Sequence, residues 1–499
     1  MTKHAPHVVL AGVDLERRAT TSLVEQLYSG LRRAILSGQL RPGNRLPSTR
    51  AFATDNNISR NTVVSAFEQL LMEGYLEAKV GAGTCVASSL PDEIPTGGYS
   101  AEPSVPLSYR SIRLSRRGDV LARERVRLLT VPGTAKPFAS GHPDVAAFPV
   151  RIWARLTARR WRRQRSEDLL TYGDPAGYLP LRQAIASHIR TARAVRCEEE
   201  QVVVVSGSQQ AIDLIARLLT DPGDCALVED PGYPGARVAL RAAGASLIRL
   251  PVDSEGANIQ QVREESSRIR LAIVTPSHQY PLGVTMTLPR RLALIQWARQ
   301  QRAWILEDDY DSDYRYRGRP LPSLQGMDDT GRVIYMGSFS KTIFPSLRLG
   351  FVVLPDALVE PFRRARAVVD GHSPTPYQAV LADFISEGHF ARHIRRMRTL
   401  YEQRQMALVE TTRRELAGLL EVDVSEGGMH LIGWLPHGAN DAHVSRAVRS
   451  CGVYASPLSA CAIGNIKRGG LLLGYAGFES SQIRKGVKTL RAALEHALR

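Results

Sequence analysis

Several things are missing from this chain of 499 residues. No run of about 18 apolar residues occurs, which excludes a helical membrane span. The opening stretch, MTKHAPHVVLAGVDLERR, holds no apolar segment followed by a cleavage site, so export is not expected. The five cysteines are Cys85, Cys197, Cys225, Cys451 and Cys461. They form no CxxC pair and no metal-ligand spacing, which predicts reduced thiols in a cytoplasm and no metal site. Internal repeats are absent, and the one biased stretch reads as a linker.

What remains is an ordinary globular composition with an unusual charge. The hydrophobic fraction of 43% is enough to bury large cores. The formal net charge is +16 and the pI about 9.9, values compatible with a polyanionic partner. The surplus is not concentrated at the N-terminus. Between Met1 and Leu90 there are 10 Lys/Arg against 7 Asp/Glu. Much of the remainder lies in SYRSIRLSRRGDVLARERVR and RIWARLTARRWRRQR. The second run reads as a solvated helix face with Trp153, Leu156 and Trp161 packing inward; a DNA-facing stripe is the other reading.

Three regions separate along the chain. Residues 1–88 form a small unit. Residues 89–134, including SSLPDEIPTGGYSAEPSVP, are rich in Pro, Ser, Gly and Arg and read as a linker. From 135 to 499, short apolar runs (QVVVVSG, CALVED, LAIVTPS, AWILEDD, VIYMGS, LGFVVLP) alternate with longer amphipathic segments. That alternation predicts an α/β domain with a mostly parallel sheet covered by helices.

In the first region, Leu23, Leu27, Leu31 and Ile35 recur at helical spacing, and Gly38 stops the helix. Ser48 is a good N-cap for a second helix, Asn56-Asn57 makes a turn, and Ser59 caps a third helix that Gly74 ends. Helix, short turn, helix is the helix-turn-helix arrangement. Ser59, Arg60, Asn61 and Thr62 then stand at the N-terminal end of its second helix, where recognition helices meet base edges and phosphates. YLEAKVGAGTCVA follows as two short strands with a Gly-rich turn. The stretch LRPGNRLPSTR…SRNTVVSAFEQLLMEGYLEAKVGAGTCVA resembles the GntR-type winged-helix head along nearly its full length. By that resemblance Arg50, Ser59, Arg60, Thr62 and the wing from Gly81 to Gly83 would touch double-stranded DNA.

The last region carries motifs in a fixed order: TYGDPAGYLPLRQAIASHI, VVVVSGSQQAIDLIARLL, EDPGYPGAR, TPSHQYPLG, ILEDDYDSDYRY and GSFSKTIFPSLRLG. As a set they resemble the fold-type I aminotransferases, which use pyridoxal 5′-phosphate (PLP) and carry a smaller C-terminal α+β subdomain. The resemblance implies Lys341 as the Schiff-base lysine. Asp308 becomes the anion that keeps the pyridine nitrogen protonated, with Glu307 and Asp309 one residue away in register. Tyr310 would bond the ring's phenolic oxygen and Tyr233 would stack on the ring. Ser208 and Gln209 at a helix start, with Ser338, Ser340 and Arg348, would hold the phosphate. Tyr172 resembles the tyrosine that reaches the phosphate of the neighbouring subunit, which implies a homodimer.

Two positions depart from that pattern. The late arginine that grips a substrate carboxylate aligns with Leu472 in GGLLLGYAGF; Arg237 is a candidate substitute, but some relatives place that arginine two after the tyrosine, where this chain has Gly235. Tyr280 in TPSHQYPLG stands where an asparagine is expected. A winged head joined to this domain resembles the MocR branch of the GntR regulators. The resemblance implies a transcriptional regulator that senses PLP, an amine or an amino acid through Lys341 and binds two DNA half-sites, as direct or inverted repeats. The rival readings are an aminotransferase with an accessory DNA-binding head, and a DNA-binding protein whose large domain is only a dimerisation scaffold.

Overall fold

The computed structural model of the chain describes residues 15–16, 19, 21–79, 83–91, 114–123, 136–163, 169–262, 268–318 and 321–498. It divides into two units, Met1–Ile112 and Arg113–Arg499.

The first unit is built from α1 (Leu23–Leu36), α2 (Thr49–Asp55), α3 (Arg60–Met72), β1 (Leu76–Lys79) and β2 (Gly83–Val86). The caps fall where the sequence placed them. Ser48 Oγ accepts from Ala51 N and Ser59 Oγ from Thr62 N, each at 3.2 Å. Gly38 and Gly74 follow the ends of α1 and α3 at φ +77° and +80°, a left-handed turn that stops a helix at little steric cost. Leu27, Leu31, Ile35, Phe52, Val63, Phe67 and Leu70 form its core, with the rings of Phe52 and Phe67 edge to face at 5.6 Å. Burial of each such side chain contributes about 1.5–3 kcal/mol, which is what lets a unit this small hold three helices. β1 and β2 pair antiparallel, Leu76 opposite Val86, and form the wing. Gly81 lies outside the described residues.

The second unit holds an eight-stranded sheet of β3 (Val202–Val205), β4 (Cys225–Asp230), β5 (Ser246–Asp253), β6 (Gly256–Ala257), β7 (Ile269–Val274), β8 (Trp304–Asp309), β9 (Val333–Ser338) and β10 (Gly350–Val353). Its order is β3-β10-β9-β8-β7-β4-β5-β6. The five central strands β9, β8, β7, β4 and β5 run parallel, while β10 is antiparallel to both β3 and β9. Every residue of β3 is buried, as a strand covered by helices on both faces requires. Beyond it, β11 (Glu421–Val422), β12 (His430–Trp434), β13 (Ser456–Pro457) and β14 (Gly470–Gly474) form an antiparallel sheet in the order β11-β12-β14-β13. The helices Asp441–Ser450 and Ser480–Ala497 accompany it.

Two readings of the basic segments change. Part of the stretch taken as linker, Arg116–Arg123, is a helix that packs against the helix Pro234–Ala243. On the helix Val150–Arg163, Leu156 is buried and Trp153 packs against the core, but Trp161 is exposed. Trp161 is five positions beyond Leu156, roughly 140° around the helix, so it cannot share that face. Arg159 and Arg160 of the same helix bind Asp383 at 2.9 and 2.8 Å, so part of the run serves packing within the unit.

Candidate functional site

The carboxyl ends of the parallel strands all open on one edge of the sheet, the edge where α/β proteins bind ligands. Asp308 and Tyr310 stand at the end of β8, Lys341 just beyond β9, Tyr233 beyond β4, and His278 and Tyr280 beyond β7. β3 points the same way, because two successive antiparallel pairings separate it from β9. It delivers Gly207 and the start of the helix Ser208–Leu219.

Lys341 lies on the short helix Phe339–Thr342, and its Nζ donates to the Gly141 carbonyl at 2.8 Å. Burial pushes this amine below its ordinary pKa, against the opposing pull of Asp311 and Asp308. More of it is therefore unprotonated and nucleophilic than an exposed lysine would be.

The acidic run of β8 sorts itself by strand alternation. Glu307 accepts from the backbone N–H groups of Leu324 (2.9 Å) and Gln325 (3.0 Å). Asp309 accepts from Arg193 (2.7 Å) and the Tyr335 hydroxyl (2.6 Å). Both are committed to the scaffold. Asp308 faces the other way, towards Lys341 and Tyr233, and its Oδ1 is buried with no hydrogen-bond partner. Burial first, then Asp309, Asp311 and Glu229, push its carboxyl up to about 8.

Tyr310 donates or accepts at 2.9 Å with Nδ1 of His278, which also meets Asp311 Oδ1 at 3.1 Å. Tyr233 is held by its hydroxyl, which donates to Gln209 Oε1 at 3.2 Å, and Gln209 in turn donates to the Gly235 carbonyl at 3.0 Å. The side chain of Gln209 is thus spent on Tyr233, which leaves its backbone N–H for an anion. Gly207 adopts φ +116°, and a Cβ there would lie 3.4 Å from the Arg348 guanidinium. Arg348 therefore rests over the helix start, the arrangement that suits a phosphate. Ser338 caps the Lys341 helix through Ser340 N at 3.2 Å. Tyr172 is not drawn into this cavity; it is 99% exposed, edge-on to His372.

These residues fit PLP on two counts. The unpartnered Asp308 oxygen is where a ring N–H would complete the hydrogen bonding, and the Cβ-free turn at Gly207 leaves the backbone donors open beneath Arg348. Gly141 and His278 were not picked out from the sequence. The first has a signal only in retrospect, a glycine between Ser140 and His142.

In the head, Arg50, Ser59, Arg60 and Asn61 are exposed and Thr62 is half-buried at the start of α3. Gly83, at φ +79°, lies against the Arg45 guanidinium; a Cβ there would be 3.3 Å from Arg45 Nε. Arg45 thus joins the wing, a contact that only the fold makes visible. Among the described residues no helix is long and apolar enough to cross a membrane, and no cluster of metal-ligating side chains occurs.

Comparison with known proteins agrees with both halves. Residues 23–86 match the bacterial regulatory proteins of the gntR family, and residues 137–490 match the aminotransferase class I and II family. The chain is 44% identical over 481 residues to the probable rhizopine catabolism regulatory protein MocR of Rhizobium meliloti, covering 96% of this chain and 95% of that protein. It is 30% identical over 420 residues to the pyridoxine biosynthesis transcriptional regulator PdxR of Corynebacterium glutamicum, covering 84% and 85%. Among solved structures it resembles the α-aminoadipate aminotransferase LysN of Thermus thermophilus, with a TM-score of 0.67 and 30% identity over 72% of this chain and 92% of that one. The chain therefore belongs to the MocR-type branch of the GntR family, DNA-binding transcriptional regulators in which a winged-helix head precedes an aminotransferase-like domain.

Proposed function

We propose that this regulator binds PLP over Lys341 and uses the occupied site to sense a small amine, changing how its heads hold DNA. The observation that carries the reading is the buried, unpartnered Oδ1 of Asp308, turned to the same space as the Lys341 amine. When bound, PLP supplies an aldehyde that a primary amine can engage. Lys341 offers an amine kept partly neutral by burial. Asp308 accepts the ring N–H. Tyr310, oriented by His278, faces the ring's phenolic oxygen. Tyr233 covers one ring face. Arg348, Ser338, Ser340 and the backbone N–H groups of Ser208 and Gln209 hold the phosphate. Tyr172, wholly exposed in its own chain, suits a side chain that reaches the site of a second copy, so the working unit is a homodimer with two heads and two half-sites. A ligand alters DNA binding only through a difference in its affinity for two arrangements of the protein.

The test is the visible absorbance of the purified protein titrated with PLP, wild type beside Lys341→Ala, with DNA affinity measured on the same samples. A cofactor band present in wild type and lost in the variant supports covalent attachment at Lys341. No band in wild type would sink the sensing role.

A further inference from the structure

Resting on the PLP reading above, we infer that Arg366 is a positioning residue for the cofactor's phosphate. It closes a ring of side chains that fixes the turn beneath Arg348, and the ring makes the site select the phosphorylated form of the cofactor. Arg366 lies on the helix Asp356–Val369, and its side chain is fully buried. It donates to Ser373 Oγ at 2.9 Å, and Ser373 Oγ meets Ser206 Oγ at 3.1 Å. The Ser206 N–H donates to Gln210 Oε1 at 2.7 Å, and Gln210 Nε2 donates to Asp370 Oδ2 at 2.5 Å. Asp370 returns to Arg366 as an ion pair. Ser206 is thus held at its backbone and at its side chain, one residue before Gly207.

The turn needs such a hold. Gly207, at φ +116°, joins β3 to the helix Ser208–Leu219. A glycine there keeps a Cβ out of the way and gives the backbone freedom to move. Gln210, in the first turn of that helix, occupies the Ser206 N–H. The N–H groups of Ser208 and Gln209 are left as donors for an anion. A displaced Ser206 would carry those two groups out of line, since such donors act only where supporting bonds fix them.

Arg366 is a poor stabiliser of the fold. Its Nε is buried with no hydrogen-bond partner among the described residues. A buried ion pair also gains little over an apolar side chain of the same size. What Arg366 adds is a cation linked to the turn through Ser373. Burial pushes its guanidinium down to about 10, so it stays charged at pH 7. Asp370 is 35% exposed, and water screens its charge more than that of Arg366. Ser373 keeps its place without Arg366, because its carbonyl accepts from Gln378 Nε2 at 2.6 Å and from His372 Nδ1 at 2.9 Å. Losing Arg366 therefore loosens Ser206 and leaves the Ser373 loop anchored.

The experiment titrates full-length wild type, Arg366→Met and Gln210→Leu with PLP and with pyridoxal, which lacks the phosphate, and follows the visible cofactor band. Arg366→Met keeps the bulk of the side chain and removes its polar bonds. Gln210→Leu opens the ring at another point and decides the matter alone if the first variant does not fold. The half-saturating concentration of PLP should rise about tenfold or more in either variant, and that of pyridoxal by less than about twofold. Arg366→Lys, which keeps the charge and loses the forked geometry, should fall between Arg366→Met and wild type. PLP and pyridoxal weakened by the same factor would mark a merely structural role and overturn the inference, as would unchanged binding of both. Thermal stabilisation by inorganic phosphate at matched ionic strength keeps the two readings apart. No band in wild type removes the PLP reading. The ring then stands if phosphate stabilises wild type and not Gln210→Leu, and falls if the two respond alike or not at all.

Discussion

Lys341 and Gly141 are joined by a 2.8 Å hydrogen bond from Nζ to the carbonyl, although 200 positions separate them in the chain. Gly141 adopts φ +76°, and a Cβ on it would stand 2.9 Å from that same Nζ. Gly141→Ala therefore imposes two penalties. The left-handed backbone costs roughly 1 kcal/mol, and the amine must move from its place. Urea unfolding should show the first as a modest loss of stability. A PLP titration should show the second as weaker binding, larger than the stability loss explains. An unchanged titration would mean that Lys341 finds its position without Gly141.

Asp308 gives a pH dependence whose sign can be worked out. Its pKa is raised from 3.8 in the unfolded chain to about 8 in the fold. Below 3.8 the carboxyl is protonated in both states and contributes nothing. As pH rises, the unfolded chain ionises freely while the folded one resists, so stability falls across the interval up to about 8. Glu229 and Glu307, both pushed up to about 7 by burial, add to the fall. The cofactor-free protein should thus lose stability between mildly acid and mildly alkaline pH, and Asp308→Asn should lose less. Bound PLP, by giving the ionised carboxylate a charged partner, should flatten the wild-type curve. Thermal unfolding across pH, with and without PLP, reads all three.

These relationships explain what the sequence could and could not disclose. Strands such as β3 and β8 were legible because both faces are covered and the residues form continuous apolar runs. β5, Ser246–Asp253, was not, because only Leu250 in it is fully buried and polar residues interrupt it. The strands β11 and β13 are two residues long, too short for any period. The phase of alternation decides among Glu307, Asp308 and Asp309, and three adjacent acids carry no mark of phase until Arg193, Tyr335 and Leu324 are in place. The helix Arg116–Arg123 lacks an apolar stripe of its own and shows as helix only once Pro234–Ala243 lies against it. Gly141 and Arg45 act through contacts made in the fold, which a linear pattern does not contain.

Leu472→Arg tests whether the missing arginine could simply be restored. The side chain would be forced into the apolar cluster of Ile432, Leu458, Cys461 and Tyr280. An uncompensated buried charge costs roughly 3–5 kcal/mol. The expected outcome is a lower unfolding midpoint and no gain in response to serine. A stable variant that responds to serine would show that this cluster yields more readily than its packing implies.

Two neighbours at the start of α3 separate folding of the head from its reading of DNA. Ser59 Oγ accepts from Thr62 N, so Ser59→Ala removes a cap worth about 1 kcal/mol. It should lower the stability of the head and weaken DNA binding only as far as the helix end frays. Arg60 is exposed and caps nothing. Its loss should leave the unfolding curve unchanged while weakening binding to duplex DNA. If its contact is to phosphate, the slope of log affinity against log salt should fall by about one across all sequences. If its contact is to a base, the loss should instead be confined to the specific site, at about 1–3 kcal/mol. Salt titrations of wild type and Arg60→Ala on specific and unrelated duplexes distinguish the two. Equal affinities for both proteins on both duplexes would remove Arg60 from the interface.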